Sequence, residues 1–279
     1  MKIGIVSDTS ADFTREEAEE KGIVYVPFNI YANDHTYVDD DDLDLKALYA
    51  DMKATKEPIR TGCPSPFQYK EAILKADAEA VFVVTISSKL SGSHNAAMSA
   101  MQEVLAEDPE KKIVVVDSKS ASAGVTNVVD KLSGWIREGK SFETIERDIA
   151  HYVEHQVTFF ILETMENLMK NGRIPRLAGK AVDVLNVKPI MKGEDGAITL
   201  HQINRGFKKS LKKLADELAH VQKERGSELI TISHSCAEDK ARMLENHIRE
   251  KLKDVRIRVV QTKGLASVYA DAGGIVVAL

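Results

Sequence analysis

The sequence is short of the features that assign a protein at a glance. Its two cysteines, Cys63 and Cys236, lie far apart and outside any partner motif, so neither a disulfide framework nor a thiolate metal site is indicated. That sparing usage suits a reducing compartment, and the expected location is cytoplasmic. No apolar run approaches the roughly 20 residues that cross a bilayer. The opening MKIGIVSD reads as a strand and not as a basic leader with an apolar core, so any membrane contact is expected to be peripheral and transient. Positive charge is not in excess, since 38 Lys and Arg stand against 43 Asp and Glu, and no nucleic-acid partner is expected. Neither the phosphate-binding pattern G-x-x-x-x-G-K-[ST] nor the hydrolase elbow G-x-S-x-G occurs.

What is present has the composition of a globular protein, and 279 residues are enough for two packed domains. Short β-branched runs at 2–7, 23–30, 80–86 and 112–117 alternate with amphipathic segments such as LDLKALYADM and AAMSAMQEVL. In the first of these Leu45, Leu48 and Met52 recur at helical spacing, as one buried face requires. Strand and helix in turn imply an α/β domain with a largely parallel sheet. From about Thr158 the grammar changes. KPIMKGEDGAITLHQI reads as two strands joined by a turn across 193–196, which means antiparallel pairing. A basic helix, GFKKSLKKLADELAHVQKE, a strand at 229–233, a helix over 238–252 and a strand at 255–261 follow. The expected division is therefore an N-terminal α/β domain at 1–157 and a C-terminal α+β domain with a mixed or antiparallel sheet at 158–279.

Three turns rich in hydroxyls fall in the first half. ISSKLSGSHNAA follows the apolar run AVFVVT, at the strand end where ligands of parallel sheets gather and where the next helix leaves backbone N–H groups unpaired. Ser91 and Ser93 would add hydroxyl donors there, and Gly92 would let the backbone approach a ligand. Helix capping is the competing account of any one such serine. TGCPSPFQY adds Thr61 beside Pro64 and Pro66, with Ser65 as a helix cap. SDTSADF adds Ser7, Asp8, Thr9 and Ser10. Turns of this kind suit a small oxyanion.

Read in order, SDTSADF, TGCPSP, SSKLSGSHNAA, DSKSASAG, LMKNGRI and LNVKPIM resemble the motifs of the DegV family over nearly the whole chain. Proteins of that family bind one long-chain fatty acid between two α/β domains, and some serve as the acyl-carrying subunit of a bacterial fatty acid kinase. The resemblance implies that Thr61 and Ser91 hold the carboxylate, with Gly92 and Ser93 beside them, while an apolar tunnel takes the tail. No cofactor and no metal are implied. Phe159, Phe160, Ile161, Leu162, Leu168 and Met169 would serve either as tunnel lining or as ordinary core.

Two further motifs bear on the head group and on a kinase partner. LMKNGRIPR resembles the family's L-x-K-G-G-R-I-S turn with Asn171 for the first glycine, a residue that tolerates the left-handed backbone of a helix end. The resemblance assigns Arg173 to the family arginine and Arg205, in HQINRGFKK, to a second arginine near the surface that meets the kinase. The family's C-terminal histidine is absent, since YADAGG places Asp271 there. An ionised carboxylate can only accept hydrogen bonds and repels another carboxylate. The expectation is that Asp271 turns away, toward an arginine, or that one of the two acids holds a proton.

The rival chemistry is a small hydrolase or transferase built from Ser91, Ser93 or Cys63 with His94 or His234. His234, in TISHSC, also reads as a polar residue closing a strand. The run Asp39 to Asp42 lacks the glycine and terminal glutamate of a calcium loop and reads as a solvated loop.

Overall fold

A computed structural model describes residues 1–174 and 186–279. Four strands, β1 (Ile3–Asp8), β2 (Ile23–Val26), β6 (Ala80–Thr85) and β7 (Lys112–Asp117), form an all-parallel sheet in the order β2-β1-β6-β7. The strand β6, AVFVVT, is buried throughout and apolar up to its closing Thr85 because both faces are covered. Phe82 and Val84 pack against helices α5 (Ala123–Arg137) and α6 (Phe142–His155). Val81 and Val83 face the other way, into a cluster with Tyr69 and Ile73 of α3 (Pro66–Lys75) and Ala97 and Ala100 of α4 (Ser93–Glu107).

The expected strand at 23–30 is two strands. Pro27 has no N–H to give a ladder, and the chain leaves β2 there to enter a separate antiparallel sheet. That sheet has the order β4-β3-β5, from β3 (Asn29–Ala32), β4 (His35–Val38) and β5 (Arg60–Gly62). Helix α2 (Leu45–Ala54) lies on it, with Leu48 fully buried and Leu45 and Met52 packed beside it, the face its spacing required. Helix α1 (Arg15–Glu20) opens with a Thr14 capping box.

The second half carries a mixed six-stranded sheet in the order β10-β9-β8-β13-β11-β12. Its members are β8 (Thr158–Ile161), β9 (Ile190–Glu194), β10 (Ala197–Gln202), β11 (Leu229–His234), β12 (Arg256–Gln261) and β13 (Ile275–Ala278). Among the described residues of this sheet, β11 and β12 are the one parallel pair. The expected hairpin is β9 and β10, turning through Asp195 and Gly196. One face of the sheet is closed by α8 (Phe207–Arg225) and α9 (Glu238–Arg249), whose Leu211, Leu214, Leu244 and Ile248 pack on Phe159, Ile161, Ile232 and Val277. The opposite face turns toward the first half. Helix α7 (Glu166–Lys170) and helix α10 (Gly264–Ala270) lie on that side. No described helix is long and apolar enough to cross a membrane.

Candidate functional site

Strand β8 shows how the second sheet builds a cavity. Its residues alternate, so Phe159 and Ile161 enter the core beneath α8 and α9, while Thr158 and Phe160 face the other way together with Leu162 just past the strand end. This row spans about 13 Å at ~3.3 Å per residue. With Val276, Ile198 and Leu168 it forms one wall of a cavity of about 1080 Å³ of empty space, part of it open to solvent. Phe28, Ile86 and Leu90 close it from the first half, and Leu265 from α10. The wall is mostly apolar with a few polar groups, as in a small-molecule site. Met169, one of the expected lining residues, packs behind Phe160 and Leu162.

Polar groups gather on the cavity wall at Thr61, Cys63, Ser91, Gly92, Arg173 and Tyr269. Thr61 is the middle residue of β5, held in register opposite Ile30. Asn171 fixes the approach to that strand, since its side-chain N–H donates to the Ile59 carbonyl at 2.9 Å. The left-handed residue of this turn is not Asn171, with φ of −92°, but Gly172, with φ of +71°. Asn171 is thus used for its side chain and Gly172 for its backbone. Thr61 Oγ1 lies 2.9 Å from the Tyr269 hydroxyl.

Ser91 stands at the end of a tight turn in which its N–H donates to the Ser87 carbonyl at 3.1 Å. Its Oγ accepts from the Ser93 N–H at 3.2 Å and keeps its own proton to donate. Arg173 braces the same turn, with Nε donating to the Leu90 carbonyl at 3.2 Å and Nη1 to the Asn171 carbonyl. Gly92 is exposed, with an ordinary right-handed backbone (φ −73°), and a Cβ there would meet only Cys63 Sγ at 3.5 Å. Its freedom is therefore spatial and not conformational.

Ser93 departs from the expectation. It is fully buried off the cavity wall, where its hydroxyl donates to Asp8 Oδ2 at 2.7 Å and meets the Tyr69 hydroxyl at 2.6 Å. Asp8 also accepts from the Ile86 N–H at 3.0 Å, from the Ser10 N–H at 3.2 Å and from the Ser10 hydroxyl. Burial raises the Asp8 pKa, and the Ser10 and Ser93 hydroxyls pull it part of the way back. Two of the hydroxyls that suggested an anion site, those of Ser10 and Ser93, thus serve a carboxylate the protein already contains. Ser87 likewise donates to the Gly196 carbonyl at 2.7 Å, fastening the β9–β10 turn to the first half.

The C-terminal and basic candidates divide. Asp271 is off the cavity wall and, among the described residues, pairs with no arginine: its Oδ1 accepts from the Ala272 N–H at 2.7 Å. Arg205 is exposed, pairs as an isolated bridge with Val187 and also stands off the wall. The nucleophile and base pairs do not form among the described residues. His94 Nδ1 faces Thr85 Oγ1 at 3.2 Å, and His234 Nδ1 accepts from the Ala237 N–H at 3.3 Å, where burial lowers its pKa. Cys63 and Cys236 are both free and exposed.

The acidic run needs one correction: Asp40, Asp41 and Asp42 are exposed, as a solvated loop requires, but its first member is not. Asp39 is fully buried, and its two oxygens accept from the Gly264 N–H at 2.7 Å and the Leu265 N–H at 2.9 Å, at the start of α10. A side chain at Gly264 would collide with Asp39 Oδ1 at 2.7 Å and Leu43 Cδ2 at 2.4 Å, so only glycine permits this approach. Asp12, also fully buried, accepts from the Lys263 N–H at 2.8 Å and from the Ser122 hydroxyl at 2.5 Å. Burial pushes both acids up to about 6, against the pull of the Ser122 hydroxyl and Lys263 N–H on Asp12 and of the Leu265 N–H on Asp39. Sequence reasoning missed this pair and Tyr269. Leu265 and Tyr269, four residues apart, were the available sign of a helix face turned to the cavity.

Residues 2–279 match the family described as DegV, uncharacterised protein, and the chain belongs to that family. A DegV domain-containing protein of Streptococcus pneumoniae is 36% identical over 274 residues, covering 97% of this chain and 96% of its own length. A DegV-family structure from Ruminococcus gnavus refined with vaccenic acid is 34% identical, with a TM-score of 0.93 and 99% of each chain covered. The fatty acid kinase B3 protein of Streptococcus pneumoniae, loaded with linoleic acid, is also 34% identical, with a TM-score of 0.90 over 100% of this chain and 99% of its own.

Proposed function

We propose, on the premise of DegV membership, that this chain carries one long-chain fatty acid in its cavity, with the carboxylate on Thr61 and Ser91 and the tail along Phe160 and Leu162. The observation that carries the reading is the apolar cavity bordered by those two hydroxyls, in a chain whose relatives of like fold hold vaccenic and linoleic acids. The tail supplies most of the affinity. Burying about fourteen methylenes at ~0.8 kcal/mol each gives roughly 11 kcal/mol before ordering costs. A hydrogen bond to a charged group gives about 1.5 to 3 kcal/mol, so the hydroxyls fix the head and replace its lost water.

In this reading the ligand lies between an N-terminal domain, 1–157, and a C-terminal domain, 158–279. The protein works in the cytoplasm as a carrier, and a separate fatty acid kinase performs the chemistry. Arg205 belongs to the surface offered to that partner and Arg173 to the head-group side. Native mass spectrometry of gently purified protein, with lipid extraction, is expected to find one fatty acid per chain. Thr61→Ala and Ser91→Ala should each weaken retention roughly tenfold or more. Retention unchanged in both variants would remove the head-group assignment. Turnover of an ester panel by lipid-free protein would support the hydrolase instead.

A further inference from the structure

We infer that Tyr269 is a positioning residue for the head group, its phenol turning the Thr61 proton toward the bound carboxylate. The inference rests on the fatty-acid reading and extends it to a residue outside the hydroxyl turns. Thr61 Oγ1 has one proton and lies 2.9 Å from the Tyr269 hydroxyl, and both side chains stand on the cavity wall. Either oxygen can be the donor. If Thr61 donates to the phenol, it has no proton left for the ligand. If the phenol donates, Thr61 accepts and its proton is free for an acceptor in the cavity.

An anion beside Thr61 selects the second arrangement, because a carboxylate accepts and cannot donate. Among the described residues the Tyr269 hydroxyl has no hydrogen-bond partner other than Thr61, so nothing in the wall opposes that polarity. Asp271, on the same segment, is occupied by the Ala272 N–H, which leaves Tyr269 as the group that α10 brings to the head end. The backbone N–H groups of Gly264 and Leu265, held by Asp39, fix the start of this helix and with it the reach of the phenol.

The ring of Tyr269 also packs against three apolar clusters, so the test must separate the hydroxyl from the ring. Tyr269→Phe keeps the ring. Dissociation constants of delipidated protein are measured for oleate and for oleyl alcohol. The alcohol can donate as well as accept, so it satisfies Thr61 in either polarity. Tyr269→Phe is expected to weaken oleate about tenfold and the alcohol less than about twofold. Equal weakening of both ligands, or no change in either, overturns the inference. Thr61→Val is the accompanying measurement. If it weakens oleate while Tyr269→Phe does not, the inference alone fails; if neither substitution weakens oleate, the head-group reading fails with it.

Discussion

Ser91 and Ser93 stand two positions apart in one motif and have different partners. Ser91 Oγ is on the cavity wall with a proton to give, whereas Ser93 is spent on the buried Asp8. Alternation of this kind follows from the tight turn that ends at Ser91 and the helix that starts at Ser93, and a list of hydroxyls cannot reveal it. Ser93→Ala should therefore act on stability. Removing one donor from a fully buried carboxylate costs about 1 to 3 kcal/mol. Chemical denaturation is expected to show that loss while lipid retention, on the proposed fatty-acid reading, stays at the parent's level. Loss of lipid without loss of stability would return Ser93 to the binding site.

At the scale of elements, α10 is held to the first half by two buried acids at its start, Asp12 on the Lys263 N–H and Asp39 on the Gly264 and Leu265 N–H groups. Both acids have an ordinary value of 3.8 and are pushed by burial to about 6 in the folded protein. Between those values the folded chain holds protons that the unfolded chain has released. Their contribution to stability is thus fully present below 3.8 and lost as pH rises through about 6, by ~3 kcal/mol for each group. Lowering the pH from 7.5 toward 5 should raise the contribution of this clasp. Asp12→Asn and Asp39→Asn remove the titrating groups, and melting curves at the two pH values should show a smaller acid-side gain than in the parent. An unchanged difference between the two pH values would mean that neither acid titrates in that window.

For the whole molecule, the alternation of strand and helix up to Asp117 and the hairpin near Gly196 were legible because each is written in local periodicity. So was the face of α2 through Leu45, Leu48 and Met52. The run 23–30 reads as one strand; Pro27, which parts it into β2 and β3, was the overlooked sign, and local pattern did not tell which sheet β3 would join. Thr61 and Ser91 were legible as polar turns, and the family resemblance singled them out. Tyr269, Asp12 and Asp39 were not, because their roles arise from contacts more than two hundred residues apart in sequence, and a buried aspartate reads like a solvated one. Asp271 shows the reverse case, a departure from the family pattern whose carboxylate accepts from the Ala272 N–H and stands off the cavity wall.

The central claim is tested most directly by a crystal structure of the protein with oleate. The account predicts density for the acyl chain along Phe160 and Leu162, with carboxylate oxygens within about 3 Å of Thr61 Oγ1 and Ser91 Oγ. A cavity filled by protein atoms, or a carboxylate bound away from both hydroxyls, would contradict it.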